Sequence, residues 1–219
     1  MAWYLKRQGV QGRPMDTTAM DAGTAFHAMM AEYWGHRQLP PAIDDVTRGV
    51  RLALDQEDLQ ERGIVGTEVM LGGSPEEAER HGRYPGTCDL VTENGTGLTV
   101  TDYKSHRRME PRFADRELRE TERSWQLNQY AYFIQKKFSR PVTKKRKLLV
   151  AFAPVLKVWL IDYPVTQPML TAWYRRAEQV WALMDRMETA AVEDVWQDPQ
   201  ACEKYGWEWR CQYHELCWP

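Results

Sequence analysis

No run of about 18 apolar residues occurs in the 219-residue chain, so no stretch reads as a membrane span. The opening "MAWYLKRQGV" has no apolar h-region, so a secretory leader is not expected and the reading is cytoplasmic. Cysteine is scarce, four in all, which argues against the disulfide framework of a small secreted domain. Neither sign of charge dominates. With 29 Lys and Arg against 31 Asp and Glu, the net charge of −2 removes any global argument for a polyanionic partner. There is no internal repeat and no low-complexity linker, which leaves one large domain or two small ones.

What is present is an ordinary globular composition, 43% hydrophobic and 27% charged, sufficient for a sizeable core. Positive charge gathers locally in "SHRRMEPR" (105–112) and "KKFSRPVTKKRK" (136–147), each either a basic patch or a solvated face. Ten tryptophans and ten tyrosines serve either packing or base stacking.

Periodicity predicts a helix from Asp16 to about Tyr33 and a second over 41–63, where Val46, Val50 and Leu54 recur at helical spacing before Gly63. Residues 64–71, 86–93 and 97–104 read as strands, the last two joined at "ENGTG". A long helix is expected from Arg116 to Phe138. The segment 147–165 then reads as two strands about a proline turn, and 167–190 as a final amphipathic helix. That order describes an α/β fold with a mixed central β-sheet flanked by helices. The predicted division is a domain over 1–194 and a Cys-containing C-terminal extension over 195–219.

The hairpin carries an anomaly. Leu98, Val100, Asp102 and Lys104 share one strand face, which therefore begins apolar and ends in a carboxylate and an amine. With a turn centred on Gly95 and Thr96, Asp89 falls opposite Asp102. Two adjoining carboxylates repel unless one is protonated or a cation lies between them, and a hard ion such as Mg²⁺ suits oxygen ligands. Lys104 would then neutralise phosphate charge or help deprotonate an attacking water. From these residues alone, a solvent-facing hairpin end with an incidental charge pair accounts for the pattern equally well.

Gly86-Thr-Cys-Asp89, twelve intervening residues and Asp102-Tyr-Lys104 resemble the core motif of the PD-(D/E)XK nuclease superfamily in its D-x-K form. Gly23-Thr-Ala-Phe-His27 is similar to the "GxxxH" of its RecB-like branch, Glu68 to that branch's acidic residue on the first strand, and Gln126-Leu-Asn-Gln-Tyr130 to its "QxxxY" helix. That branch includes the RecB and AddB nuclease domains, small CRISPR adaptation nucleases and phage exonucleases.

The resemblance implies a restriction-endonuclease-like core and a Mg²⁺- or Mn²⁺-dependent deoxyribonuclease. It would be an exonuclease acting on DNA ends or single strands in recombination, repair, phage DNA processing or CRISPR adaptation. Implied metal ligands are Asp89, Asp102, His27 and a backbone carbonyl near Tyr103, with Glu68 and Lys104 completing the catalytic set. Gln126 and Tyr130 would reach toward the site and the DNA, and Arg107 and Arg108 toward phosphates. The alternative is a DNA-end-binding or assembly subunit with the fold but no cleavage.

Cys202, Cys211 and Cys217, spaced by eight and five residues, resemble the C-terminal group that helps to hold a [4Fe-4S] cluster in many RecB-like nucleases. No cysteine precedes Trp3, where the family's first cluster ligand would stand. Zn²⁺ on these three and His214 is a chemically complete alternative, and three unligated cysteines another.

Overall fold

The computed structural model describes residues 18–38, 41–56, 63–71, 86–108 and 114–188. Along the chain these form α1 (Thr18–His36), α2 (Asp45–Leu54), β1 (Ile64–Met70), β2 (Thr87–Asn94) and β3 (Gly97–Arg108). They continue through α3 (Ala114–Arg123), α4 (Trp125–Phe138), β4 (Val142–Ala153), β5 (Lys157–Pro164) and α5 (Gln167–Glu188). Two compact units divide the chain: Thr18–Tyr174, which holds the whole sheet, and Met1–Thr17 together with Arg175–Pro219. The tail cysteines Cys202, Cys211 and Cys217, and His214, lie outside the described residues.

The five strands line up in chain order, β1-β2-β3-β4-β5. Only β3 and β4 run parallel, so the sheet is mixed, as the element order predicts. A parallel pair needs a crossover, and α3 and α4 provide it.

Strand alternation separates two faces. Leu90, Tyr103, Leu148 and Val150 turn to one of them, where α1 contributes Phe26, Met30 and Trp34 and α2 contributes Val50, Ala53 and Leu54. Full burial of each large apolar side chain there stabilises the fold by about 1.5–3 kcal/mol. Phe26, Met30 and Trp34 recur every four residues, which gives α1 its buried stripe. The opposite face carries Asp102 and Lys104 and is covered by α4, whose Leu127, Tyr130, Ala131 and Ile134 are buried.

Three sequence expectations need correction. The helix predicted over 41–63 starts later, at Asp45, and ends at Leu54. Asp44 and Thr47 form a capping box at its start, and beyond Leu54 the run "DQED" offers no apolar residue to bury. The single helix predicted from Arg116 to Phe138 is two helices, because Ser124 leaves helical geometry and its hydroxyl caps the Leu127 N–H at 3.2 Å. The run "KKRK" is not a solvated face. It belongs to β4, and Lys145, Arg146 and Lys147 are all buried.

The two-residue turn at Gly95 and Thr96 forms as expected, with Asn94 paired to Gly97. A Cβ at Gly97 would stand 2.5 Å from the Pro141 carbonyl oxygen and 2.9 Å from a Thr143 methyl. That carbonyl already accepts the Leu98 N–H at 2.8 Å, so it has little room to retreat. Gly97→Ala is therefore expected to lower stability by about 1–3 kcal/mol, read from the urea midpoint at unchanged slope.

Lys145 fastens the break between α3 and α4. Its ammonium donates to the Glu122 carbonyl at 2.6 Å and to Asn128 Oδ1 at 2.7 Å, above the Tyr163 ring. Burial lowers its pKa to about 8, against a weaker opposing pull from Glu122. Between about pH 8 and the ordinary lysine value the unfolded chain binds the proton that the folded chain has released, so stability rises with pH in that window. Wild type should gain stability relative to Lys145→Met as the pH is raised through it. Parallel curves in denaturant titrations would contradict this.

Candidate active site

Strand register assembles the site. Thr67 opposite Leu90 and Val69 opposite Cys88 put Glu68 across from Asp89. Leu90 opposite Thr101, carried one residue further, puts Asp89 across from Asp102. Asp102 in turn pairs with Lys147 of β4. Glu68, Asp89, Asp102 and Lys147 thus form a row across four strands, with Lys104 two residues along from Asp102 on the same face.

Each acid in the row is held differently. Asp89 is buried; its Oδ2 accepts the Tyr103 N–H at 2.6 Å, and its Oδ1 lies 3.3 Å from His27 Nδ1. Asp102 is also buried, and the Lys104 ammonium lies 2.9 Å from both of its oxygens. Burial raises the Asp102 carboxyl above its ordinary value, Lys104 pulls it back, Asp89 adds to the rise and Lys147 opposes it. Partial burial and the Asp89 charge raise Glu68, which His27 partly offsets. Glu68 also has φ of 46°, a left-handed conformation in a strand that already carries an irregular register between Ile64 and Gly66. A non-glycine residue held there stores about 1–3 kcal/mol of strain, which its surroundings must offset.

His27 comes from the other face of the sheet, carried by α1. Burial alone would lower its pKa, but the Asp89 hydrogen bond and charge outweigh burial and hold the imidazole above its ordinary value. Its ring meets Tyr103 edge-on at 5.7 Å. One turn earlier, Gly23 lets α1 approach β3, since a Cβ there would fall 2.9 Å from Ser105 Oγ. Tyr103 joins the two layers: its hydroxyl accepts the Trp34 indole N–H at 2.9 Å, while its backbone amide serves Asp89.

Gln126 and Tyr130 meet on α4, with Gln126 Nε2 donating to the Tyr130 hydroxyl at 2.6 Å. Burial, then the charge of Asp102, raises the Tyr130 phenol well above its ordinary value, so it stays protonated. Gly86 packs beside this tyrosine, where a Cβ would meet its ring at an ordinary 3.4 Å contact. Cys88 is buried, and burial followed by the charges of Asp89 and Asp102 pushes its thiol up, so it is no nucleophile. Arg107 and Arg108 end β3, and their side chains lie outside the described residues.

The structure therefore brings together Glu68, Asp89, Asp102, Lys104 and His27, with Tyr103 behind them and Tyr130 within electrostatic reach. Sequence reasoning missed Lys147. The only available signal was the alternation of the "KKRK" run, legible once that run is assigned to a strand.

Three carboxylates and an imidazole make an oxygen-rich donor set suited to a hard divalent ion. Among the described residues no three His, Cys, Asp or Glu side chains stand together as a metal cluster, and the two buried acids are bonded to the Lys104 ammonium and the Tyr103 amide. A PD-(D/E)XK nuclease superfamily model matches residues 46–218, a stretch that includes β1 to β5 and the whole row. The chain belongs to that superfamily.

Membership makes a metal-dependent nuclease the expected activity class and DNA the expected substrate, since PD-(D/E)XK nucleases generally use divalent metals such as Mg²⁺. No curated protein matches the sequence. Among solved structures, one described as "Crystal structure of SSO0001" is similar at 15% identity and a TM-score of 0.30, over 81% of this chain and 82% of that one. No helix among the described residues is long and apolar enough to cross a membrane.

Proposed function

We propose that the protein is a divalent-metal-dependent deoxyribonuclease of the RecB-like branch, an exonuclease acting on DNA ends or single strands. The observation that carries this reading is the Lys104 ammonium clasping the second of the acids aligned across β1, β2 and β3, in a side chain 38% exposed and so reachable by substrate. A binding-only protein has no use for a repulsive carboxylate row beside a lysine.

Asp89 and Asp102 would hold Mg²⁺ or Mn²⁺, with His27, Glu68 and the backbone near Tyr103 as further donors. Such an ion, when bound, stabilises the negative charge that develops on the scissile phosphate and makes water more acidic. The protein's own residues do the remainder. The Tyr103 amide fixes the rotamer of Asp89, and His27 orients its other oxygen. Lys104 orients the attacking water and stands ready to stabilise the charge that grows on the phosphate. The protonated Tyr130 hydroxyl, set by Gln126, donates toward a phosphate oxygen, and Arg107 and Arg108 extend the contact along the backbone. The catalytic domain of this reading spans 1–194 and the cysteine extension 195–219. Iron and zinc analysis of the purified protein decides between a [4Fe-4S] cluster, Zn²⁺ and free thiols.

The test is cleavage of end-labelled single- and double-stranded DNA with Mg²⁺ or Mn²⁺ and with EDTA. Stepwise loss of the end label that requires metal supports the exonuclease reading. DNA binding without cutting by folded, metal-supplied protein would replace it with the end-binding subunit.

A further inference from the structure

Helix α3 has almost nothing apolar to offer the sheet, its sequence being "ADRELRETER". Two lysines of β4 hold it instead. Lys145 takes the Glu122 carbonyl near its C-terminal end, and Lys147 Nζ lies 2.9 Å from Glu117 Oε2 near its start. The second contact is an ion pair with side chains only 9% and 12% exposed.

Lys147 is also the strand neighbour of Asp102. Adjacent strands lie about 4.8 Å apart, so an ammonium on a four-carbon stem at that position reaches the Asp102 carboxylate with ease. Asp102 already receives one ammonium, from Lys104, on both oxygens. A second would complete its hydrogen bonding and place another positive charge where a divalent ion must approach. The Lys147 ammonium is bonded to Glu117 instead, although its charge still acts on Asp102 from that position.

We infer that Glu117 is a positioning residue, which draws Lys147 toward α3 and so keeps Asp102 available to a divalent cation. The inference rests on the metal site proposed above, though not on cleavage. In the free protein, Glu117→Gln releases Lys147 onto Asp102 and weakens Mn²⁺ binding about tenfold. The double variant Glu117→Gln/Lys147→Met removes the competing ammonium and returns affinity to near wild type, although it still lacks the α3 ion pair. A merely structural role for the pair predicts the reverse order, with the double variant no better than the single.

The experiment is Mn²⁺ titration of the full chain by calorimetry without DNA, with thermal melts confirming that each variant is folded. The expected result is a weakened single and a restored double variant. Unchanged affinity in folded Glu117→Gln, or a double variant as weak as the single, would overturn the inference, as would wild type that binds no Mn²⁺. Should Glu117→Gln not fold, Glu117→Ala is read in the same way, because it too removes the carboxylate that holds Lys147. Wild type that binds Mn²⁺ but cuts no DNA leaves this inference standing and removes the nuclease reading.

Discussion

Replacing Lys104 with alanine is expected to lower DNA cleavage by about 10²–10³-fold, the typical loss when one preorganised charge donor is removed from a transition state. DNA affinity should change little, because a single partly exposed ammonium is a small share of the phosphate contacts that hold a duplex or a strand. The split follows from where Lys104 lies. In the resting site it compensates Asp102, and its contribution grows only as charge develops on the phosphate. Without it, burial and the Asp89 charge push the Asp102 carboxyl further toward protonation, which works against metal binding as well. Single-turnover cleavage alongside equilibrium DNA binding measures both quantities. A variant that cuts at the wild-type rate would remove Lys104 from the mechanism, and equal losses of rate and affinity would make it a binding residue.

The largest stability effect is expected on the opposite face, at Asp162. The Arg146 guanidinium is completely buried, with Nε donating to Asp162 Oδ1 at 2.5 Å and Nη2 to Oδ2 at 2.7 Å, and Lys144 adds a third contact at 2.9 Å. The aspartate itself is 30% exposed. Removing the acid leaves the buried guanidinium without its carboxylate, so Asp162→Ala should cost about 3–5 kcal/mol. Arg146→Met should cost clearly less, because the remaining carboxylate keeps Lys144 and can take up water. Urea denaturation of the two variants checks the order, and equal losses would show that the pair acts symmetrically. Burial alone would raise the Asp162 carboxyl, but the hydrogen bonds from Arg146 and Lys144 hold it below its ordinary value. Its contribution is therefore complete above the ordinary aspartate pKa and is lost as the pH falls through the lower folded value.

Much of this arrangement was legible before any coordinates. Alternation and the "ENGTG" turn fixed the β2–β3 register, because a two-residue loop leaves only one pairing, and that pairing brought Asp89 to Asp102. The approach of His27 to Asp89 followed from motif resemblance alone, since nothing local says which face of the sheet α1 will cover. The neighbourhood of Lys147 was not legible. Its register depends on a parallel pairing across the α3–α4 crossover, which no turn geometry specifies, and its charge suggested solvent. The burial of Arg146 was hidden for the same reason, as charges go inside only with partners and its partner Asp162 stands on the next strand. The Ser124 break was readable in principle as a capping serine, but the continuous run of helix formers around it concealed the signal.

The parallel pairing of β3 with β4 has a kinetic consequence. The β2–β3 hairpin closes over two residues, so its strands are expected to meet early and bring the two acids together, whereas the pairing of β4 must span the crossover helices. During that interval the chain carries an unbalanced negative cluster on a half-built edge, and mutual repulsion opposes nonproductive closure of the sheet there. Arrival of β4 pairs the open edge of β3 and brings Lys147, bonded to Glu117, near enough for its charge to act on Asp102. The row of side chains from Glu68 to Lys147 is thereby completed only when the parallel β3–β4 pairing, the longest-range one in the sheet, has formed.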